Sequence, residues 1–181
     1  MEIKTMKKIH IVLILCFTLF ANCEKKEEHP VQTPMPSGII QTSQEMQLLQ
    51  DAVKQDPKNV VAWIKLGNLF MDSSRYSEAI DSYEKVLELD PKNVDVRVDM
   101  GTCYRRAGKA DRAAQEFRKA ISINPLHPYA HRNLGVVLAF DLHDKKQAIK
   151  EFEEFIKLSP DTPDSQQIRD LMNKLKSEPV Q

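Results

Sequence analysis

The chain has 181 residues, which allows one ordinary domain with a tail and leaves little room for two. Its 26 Lys plus Arg balance its 26 Asp plus Glu, so the composition excludes both the strongly basic face of a nucleic-acid binder and a long acidic tail. Few glycines and many Lys, Glu, Ala and Leu favour helices, and three cysteines without a Cys-x-x-Cys pair exclude a disulfide framework, a thiol redox motif and a covalent haem site.

The first element is an apolar run over residues 9–21, which follows Lys4, Lys7 and Lys8. As a helix this run would span roughly 20 Å, whereas the hydrocarbon core of a bilayer is about 30 Å thick. The run is therefore too short for a comfortable transmembrane helix. A basic start followed by a short apolar stretch is typical of an export signal, and we predict such a signal over residues 1–23.

The end of this signal, Leu19 to Cys23, resembles the lipobox of bacterial lipoproteins. In that family the cysteine is acylated and becomes the first residue of the mature protein. The resemblance therefore implies lipidation of Cys23 and an anchor in the cell envelope. Phe20 and Asn22 stand where lipoboxes usually carry Leu and a small residue, and an uncleaved N-terminal anchor and an ordinary signal peptide remain as alternatives.

A polar segment over residues 24–38 follows, with five charges in its first half and Pro30, Pro34 and Pro36 in its second. Three prolines and few apolar groups argue against a packed core. We predict a flexible tether here. At about 3.1 Å per residue, it could hold a domain up to roughly 45 Å from the lipid surface.

The rest of the chain repeats with a period of 34 residues. Prolines, glycines, small residues and aromatic residues each recur in register. They stand at Pro57, Pro91, Pro125 and Pro160, at Gly67, Gly101 and Gly135, at Ala79, Ala113 and Ala148, and at Tyr83, Phe117 and Phe152. A fixed period in this range indicates stacked supersecondary units.

Each unit is predicted to be two helices joined by a turn. In the first unit, one helical face carries Trp63 and Phe70 with Gly67 between them. A second apolar stripe over residues 76–87 ends before Pro91, because proline removes a helix donor and restricts the residue before it. A residue as small as glycine is expected at this position so that the paired helices can approach closely.

This period and residue set resemble the tetratricopeptide repeat, a helix-turn-helix unit of 34 residues. The match runs from Val60 to about Pro160, with Arg97 and His131 in place of the tryptophan and one extra residue in the third turn. The resemblance implies an all-α fold. We expect a right-handed α-solenoid of three units, over residues 60–93, 94–127 and 128–162.

A further helix is predicted at each end of the array, because stacked repeats need terminal helices to close their cores. Residues 39–56 are expected to form a leading helix, a degenerate half-repeat with an apolar side of Met46, Leu48, Leu49, Ala52 and Val53. After the last repeat, Asp164 can cap a helix over residues 163–178. The apolar side of this capping helix is expected to comprise Ile168, Leu171, Met172 and Leu175.

No motif for catalysis is present: the sequence has no Gly-rich phosphate loop and no Gly-x-Ser-x-Gly elbow. We expect neither enzymatic activity nor a bound cofactor. The one histidine pair at helical spacing, His127 and His131, lacks a third metal ligand beside it. We expect His127 on the surface and His131 as a packing residue in the tryptophan position. The other candidates are expected to be structural, with a solvated acidic face at Glu151, Glu153 and Glu154 and a core thiol at Cys103.

The surface most suited to binding is the face of the first helices that packing leaves free. In tetratricopeptide arrays this face lines a concave groove that holds peptides or partner helices, and the resemblance implies the same here. The expected groove residues are Ile64, Asn68, Met71, Asp99, Arg105, Arg106, Tyr129, Arg132, Val136 and Phe140.

Two versions of this groove are possible. In the first, the arginines bind a partner by charge and the two aromatic residues anchor it, since these residue types most often dominate binding energy. In the second, Asp95 and Asp99 on the same wall neutralise the arginines and leave a mainly apolar site.

One specialised form of the groove grips the C-terminal carboxylate of heat-shock chaperones with Lys and Asn residues. Of its five clamp positions only Asn68 matches, and the others hold Ile64, Asp99, Tyr129 and Asn133. Because the charge of Asp99 would repel a carboxylate, we do not expect that function.

The sequence as a whole predicts a non-enzymatic protein–protein interaction module. We expect it to bind a protein or peptide and no nucleic acid. Through the lipid anchor it would sit in the bacterial cell envelope, facing the periplasm or the exterior. Two alternatives remain. One is an assembly factor for c-type cytochromes, since similar repeat domains handle apocytochromes. The other is an accessory subunit of an envelope enzyme complex whose chemistry lies in a partner.

Overall fold

The structure, a computed structural model, describes residues 37–177. These residues form eight α-helices and no strand. In chain order the helices are α1 (Ser37–Gln55), α2 (Val60–Asp72), α3 (Tyr76–Leu89), α4 (Val94–Arg106), α5 (Ala110–Ile123), α6 (Pro128–Phe140), α7 (Lys145–Leu158) and α8 (Pro163–Ser177). The predicted all-α solenoid of three helix pairs between two terminal helices is confirmed. The predicted export signal, the lipidation site at Cys23 and all but the last two residues of the tether lie outside the described residues.

The first helix of each unit starts at the same kind of cap. Side chains at a spacing of 34 residues, Asn59, Asn93 and His127, each accept a hydrogen bond from the backbone N–H three residues later, at 3.0–3.1 Å. Such a side chain satisfies one of the backbone donors that a helix start leaves without a partner. His127 is therefore a structural cap with a largely covered ring, and the expectation of a surface residue is wrong.

The turn inside each unit contains one residue with positive φ, namely Ser74, Gly108 or His143. Left-handed backbone at this point is common where a helix ends and the chain reverses. The turn of the third unit, residues 141–144, is one residue longer than residues 73–75 of the first, as the sequence predicts. The extra residue does not disturb the pairing of α6 with α7.

The contact between the two helices of a unit is made by a glycine and an aromatic ring. Gly67 faces Tyr83, Gly101 faces Phe117, and Gly135 faces Phe152. A Cβ atom built on any of these glycines would lie 2.5 or 2.6 Å from a ring carbon. The rings are fully buried, so the glycines are required for close approach, as predicted.

The terminal helices close the two ends of the core. On α1, Met46 and Val53 are buried, but Leu48 is 71% exposed, so its expected place on the packed side is wrong. On α8, Ile168 and Met172 are buried as expected. The cap at the start of α8 differs from the prediction: the hydroxyl of Thr162 accepts from the N–H of Ser165, and Asp164 instead pairs with an arginine of α6.

Candidate functional site

The array curves with its first helices on the inner side. Two consecutive first helices, α4 and α6, contact each other directly, whereas no comparable contact joins α3 to α5 or α5 to α7 in the described part of the chain. Because α4 and α6 are closer together than the neighbouring second helices, these two first helices lie on the concave side, and we assign α2, the first helix of the first unit, to the same side. We call the solvent-facing side of these three helices the concave face.

In the first unit, the concave face is formed by half-buried side chains of α2. The hydroxyl of Tyr83 donates a hydrogen bond of 2.7 Å to Oδ1 of Asn68, and Sδ of Met71 lies 4.0 Å from the same hydroxyl oxygen. The carbonyl oxygen of the Asn68 amide is thereby occupied. Its Nδ2 group has no hydrogen-bond partner in the described residues. Ile64 is half-buried one turn earlier and adds apolar surface.

Asp99 lies half-buried in the middle of the concave face, on α4. Burial raises its pKa to about 6, and the charges of Asp95 and Asp72 act in the same direction while His127 opposes them. Within residues 37–177 no cation forms an ion pair with Asp99. An uncompensated carboxyl at this point opposes the binding of an acidic peptide, as the sequence predicts.

Two of the three arginines expected on the concave face, Arg105 and Arg132, are already paired. Nε of Arg105 lies 2.5 Å from Oδ2 of Asp141, and Nε of Arg132 lies 3.4 Å from Oδ2 of Asp164. Sequence reasoning missed both carboxylates, because Asp141 lies in the turn of the following unit and Asp164 lies on the terminal helix α8. The expectation that Asp95 and Asp99 neutralise the arginines is wrong. Asp95 bonds to His127, and Asp99 forms no ion pair in the described part of the chain.

Arg106 is exposed at the end of α4. Hydrogen bonds with Ser74 and with Arg106 hold the pKa of the Tyr76 hydroxyl below its ordinary value. Arg106 therefore belongs to the junction between the first two units as well as to the concave face.

Two aromatic side chains stand out on α6, at its two ends. Tyr129 and Phe140 are each 50% exposed. The ring of Tyr129 has its centre 6.4 Å from those of His127 and Phe155, so its position is supported by packing on one side. Val136, between them, packs against the core and offers only part of its surface.

The histidines and neighbouring acids do not form a metal site: residues 37–177 contain no cluster of three or more potential His, Cys, Asp or Glu ligands. His131 is buried in the tryptophan position, as expected. Its Nδ1 lies 2.7 Å from Oε2 of Glu151, so the expectation that Glu151 belongs to a solvated face is wrong. The repeat itself carries the signal for this pair, because Glu151 and Glu116 occupy equivalent positions opposite His131 and Arg97.

Cys103 is fully buried, as expected for a core position. Burial raises the pKa of its thiol to about 12, and the nearby charge of Asp99 adds to the effect. The thiol therefore stays protonated at neutral pH, which is unsuited to nucleophilic chemistry. Among residues 37–177, no helix is both long enough and apolar enough to cross a membrane.

Several solved structures share this fold. A crystal structure of MamA matches with a TM-score of 0.67 at 25% sequence identity, over 77% of this chain and 81% of that one. The first TPR of Spaghetti (RPAP3), bound to the HSP90 peptide SRMEEVD, matches with a TM-score of 0.61 at 24% identity, over 67% and 93% of the two chains. The second TPR domain of human RPAP3, in complex with the HSP70 peptide SGPTIEEVD, matches with a TM-score of 0.60 at 22% identity, over 66% and 96%.

Comparison of the sequence with curated proteins finds no match. Comparison with protein families identifies one. A protein family, described as the cytochrome c-type biogenesis protein H TPR domain, matches residues 35–167, which is most of the chain and all three helix pairs. The fold, the repeat and this match agree, and the chain belongs to that family.

Proposed function

We propose that the protein is a non-enzymatic interaction module that binds a peptide or a helix of a partner protein on its concave face. The observation that carries this proposal is the pair of half-exposed aromatic side chains on α6, Tyr129 and Phe140. Rigid aromatic side chains that are partly exposed on a packed helix are typical anchors of protein interfaces. Tetratricopeptide domains are in general interaction modules, which agrees with this role.

Binding on this face is expected to be led by apolar contacts rather than by charge. Arg105 and Arg132 are engaged by Asp141 and Asp164, so a partner would gain little from them without first breaking those ion pairs. The free Nδ2 group of Asn68 can donate a hydrogen bond to a backbone carbonyl of the partner. Affinity should therefore fall only weakly as ionic strength rises.

We further propose that the module is anchored in the bacterial cell envelope. Support comes from the sequence, in which the predicted export signal over residues 1–23 ends at Cys23 and residues 24–36 could act as a tether. With this anchor, the repeats would lie in the periplasm or at the cell exterior. There they would meet exported partner proteins.

The family match favours one class of partner, namely proteins of c-type cytochrome assembly. In this second candidate function, the concave face holds an unfolded apocytochrome. A fluorescent peptide that contains a Cys-x-x-Cys-His motif should then bind more tightly than a peptide with serines in place of the cysteines and alanine in place of the histidine. Equal binding of the two peptides would leave a general interaction module, including an accessory subunit of an envelope enzyme complex.

The experiment that tests the concave face is a pulldown from detergent-solubilised envelope, followed by mass spectrometry. The wild type is compared with a Tyr129→Ala, Arg132→Ala double variant, and with a control double variant on the exposed side of α5, Gln115→Ala with Arg118→Ala. Circular dichroism confirms equal helicity. We expect partners to be lost from the first variant alone. Recovery of the same partners at the same yield with both variants would show that the concave face is not the working surface.

A further inference from the structure

Asp99 lies in the middle of the array, on the first helix of the second unit. Its side chain is half-buried on the concave face, and no cation forms an ion pair with it among residues 37–177. Taking a carboxylate partly out of water costs free energy, which a nearby positive charge offsets. The fold leaves this cost in place, so a positive charge supplied by a partner would offset it.

The cations of the concave face do not compensate this carboxylate. Arg105 on the same helix and Arg132 on α6 lie against aspartates of the next turn and of the terminal helix, with nitrogen-to-oxygen distances of 2.5 and 3.4 Å. Lys65, which holds on α2 the position equivalent to Asp99, is exposed and forms no ion pair with it in the described part of the chain. The negative charge of Asp99 is therefore available to a partner.

The charges nearest to Asp99 are mostly negative as well. Burial is the largest cause that raises the pKa of Asp99, to about 6, and the charges of Asp95 and Asp72 add to it, while His127 acts in the opposite direction. At neutral pH a carboxyl with this pKa is mostly ionised. The middle of the concave face thus carries a negative charge that favours a cation and disfavours an anion.

Asp99 lies on the same part of the concave face as the exposed ring of Tyr129. Asp95 is one helical turn before Asp99, on the same side of α4, and its Oδ1 lies 2.9 Å from Nε2 of His127. The ring centre of His127 is in turn 6.4 Å from that of Tyr129. Since α4 and α6 also contact each other directly, a single segment of a partner can reach both the ring and the carboxylate.

We propose, resting on the function proposed above, that the concave face selects a basic segment of its partner: a Lys or Arg side chain forms an ion pair with Asp99, and a neighbouring apolar residue packs on Tyr129. A basic amphipathic segment meets both requirements, and the charge of Asp99 repels an acidic one. Salt screens a partly buried ion pair less than an exposed one. The weak dependence of affinity on ionic strength that is expected for this face therefore still holds.

The first test is a selection from a library of random peptides, which requires no knowledge of the natural partner. The bait is the detergent-solubilised full chain, as the wild type, Asp99→Asn, Asp99→Lys, or the control Asp81→Asn at an exposed carboxylate on α3. The wild type and the control should enrich peptides with Lys or Arg next to an aromatic or aliphatic residue. Asp99→Asn should lose this preference, and Asp99→Lys should enrich Asp or Glu instead.

The second test measures the affinity of one selected peptide by fluorescence anisotropy. Replacing its basic residue with uncharged norleucine, or replacing Asp99 with asparagine, should each weaken binding by about tenfold or more, and both changes together should weaken it little further. Asp99→Lys should bind the peptide with Glu at that position more tightly than the wild type does. Unfolding does not account for such losses, because Asp99→Asn removes a charge that burial makes costly.

Tyr129→Ala separates failure of this proposal from failure of the proposed function. Selected peptides without a basic preference, or with a preference that Asp99→Asn leaves unchanged, would overturn the role of Asp99. If Tyr129→Ala still weakened the binding of those peptides, the concave face would remain the binding surface. Selected peptides that bind equally to the wild type, Tyr129→Ala and Asp99→Asn would overturn both proposals, and so would a selection that yields no peptide.

Discussion

A Cβ atom on Gly101 would lie 2.6 Å from Cε1 of Phe117, so the ring on α5 occupies the space that a side chain on α4 would need. The ring is fully buried. The same relationship joins Gly67 to Tyr83 in the first unit. The spacing of the two helices in each repeat is thus set by one missing side chain and one aromatic ring.

Replacing Gly101 by alanine should therefore destabilise the fold. In an ordinary helix interior, Gly→Ala stabilises by about 1 kcal/mol because it restricts the unfolded chain. Here the added methyl group overpacks the helix pair, and we expect a net loss of about 1–3 kcal/mol in the free energy of unfolding. Denaturant unfolding measures it, and a Phe117→Leu background should reduce the loss. An unchanged or raised melting temperature in Gly101→Ala would show that α4 and α5 are not packed this way.

Asp99→Asn should stabilise the protein at neutral pH. Because the pKa of Asp99 is raised from 3.8 to about 6, the folded protein holds its proton more tightly than the unfolded chain does. Stability contributed by the protonated carboxyl is present at low pH and is lost as pH rises between those two values. The amide has no charge to desolvate, so we expect a gain of about 1 kcal/mol at pH 7.5 and almost none at pH 4.

The control for this prediction is Asp81→Asn, at an exposed carboxylate on α3. It should leave the free energy of unfolding nearly unchanged at both pH values. If Asp99→Asn were less stable than the wild type at pH 7.5, the carboxylate would have a stabilising partner and the account of the concave face would be wrong.

Glu116 should tolerate replacement only if Arg97 is replaced with it. Glu116 is buried and accepts hydrogen bonds from both Arg97 and Lys119 at 2.7 Å. Glu116→Ser leaves the guanidinium covered and unpaired, which typically costs about 3–5 kcal/mol. Adding Arg97→Trp recreates the pair found in the first unit, where Trp63 and Ser82 occupy the equivalent positions, and should recover most of this loss. The exposed Glu88→Ser is the control, with an expected cost below about 1 kcal/mol. A double variant as unstable as Glu116→Ser alone would contradict the equivalence of the two positions.

Cys23→Ser should change where the protein is found in the cell. If Cys23 carries the lipid anchor, the variant is released from the membrane fraction or accumulates as an unprocessed precursor. Fractionation and intact-mass measurement distinguish these forms from the wild type. An unchanged mass and unchanged partition into the membrane would rule out lipidation at this cysteine.

The sequence predicts the helices and their pairing because the repeat is carried by residue size. A glycine, an alanine and an aromatic residue recur at fixed positions in every unit, which predicts the helix pair, whereas the ring that faces each glycine is identified only by the structure. The pairing of charged residues follows no such rule. Asp141 lies in the lengthened turn of the third unit and Asp164 on the terminal helix, and no aspartate recurs at either position in the other units, so periodicity gives no indication of these contacts.

Two of the wrong expectations concern the environments of single residues, Glu151 and Leu48. Glu151 has the sequence context of a solvated helix face, yet it is paired with a buried histidine. Its role is visible only when Glu116 is recognised as its equivalent. Leu48 occupies on α1 the position that Glu116 and Glu151 occupy on the second helices of their units. No first helix is present in the described residues to pack against it. An apolar residue there is left exposed for that reason.

Photo-crosslinking shows whether partners bind on the concave face. A photoreactive phenylalanine derivative is placed at Tyr129 on α6 or, as the control, at Gln115 on the exposed side of α5, and cells are irradiated before the envelope is extracted. We expect crosslinked partner bands from the Tyr129 position and none from the Gln115 position. Bands from the Gln115 position alone would contradict this expectation and would place the binding surface on the second helices.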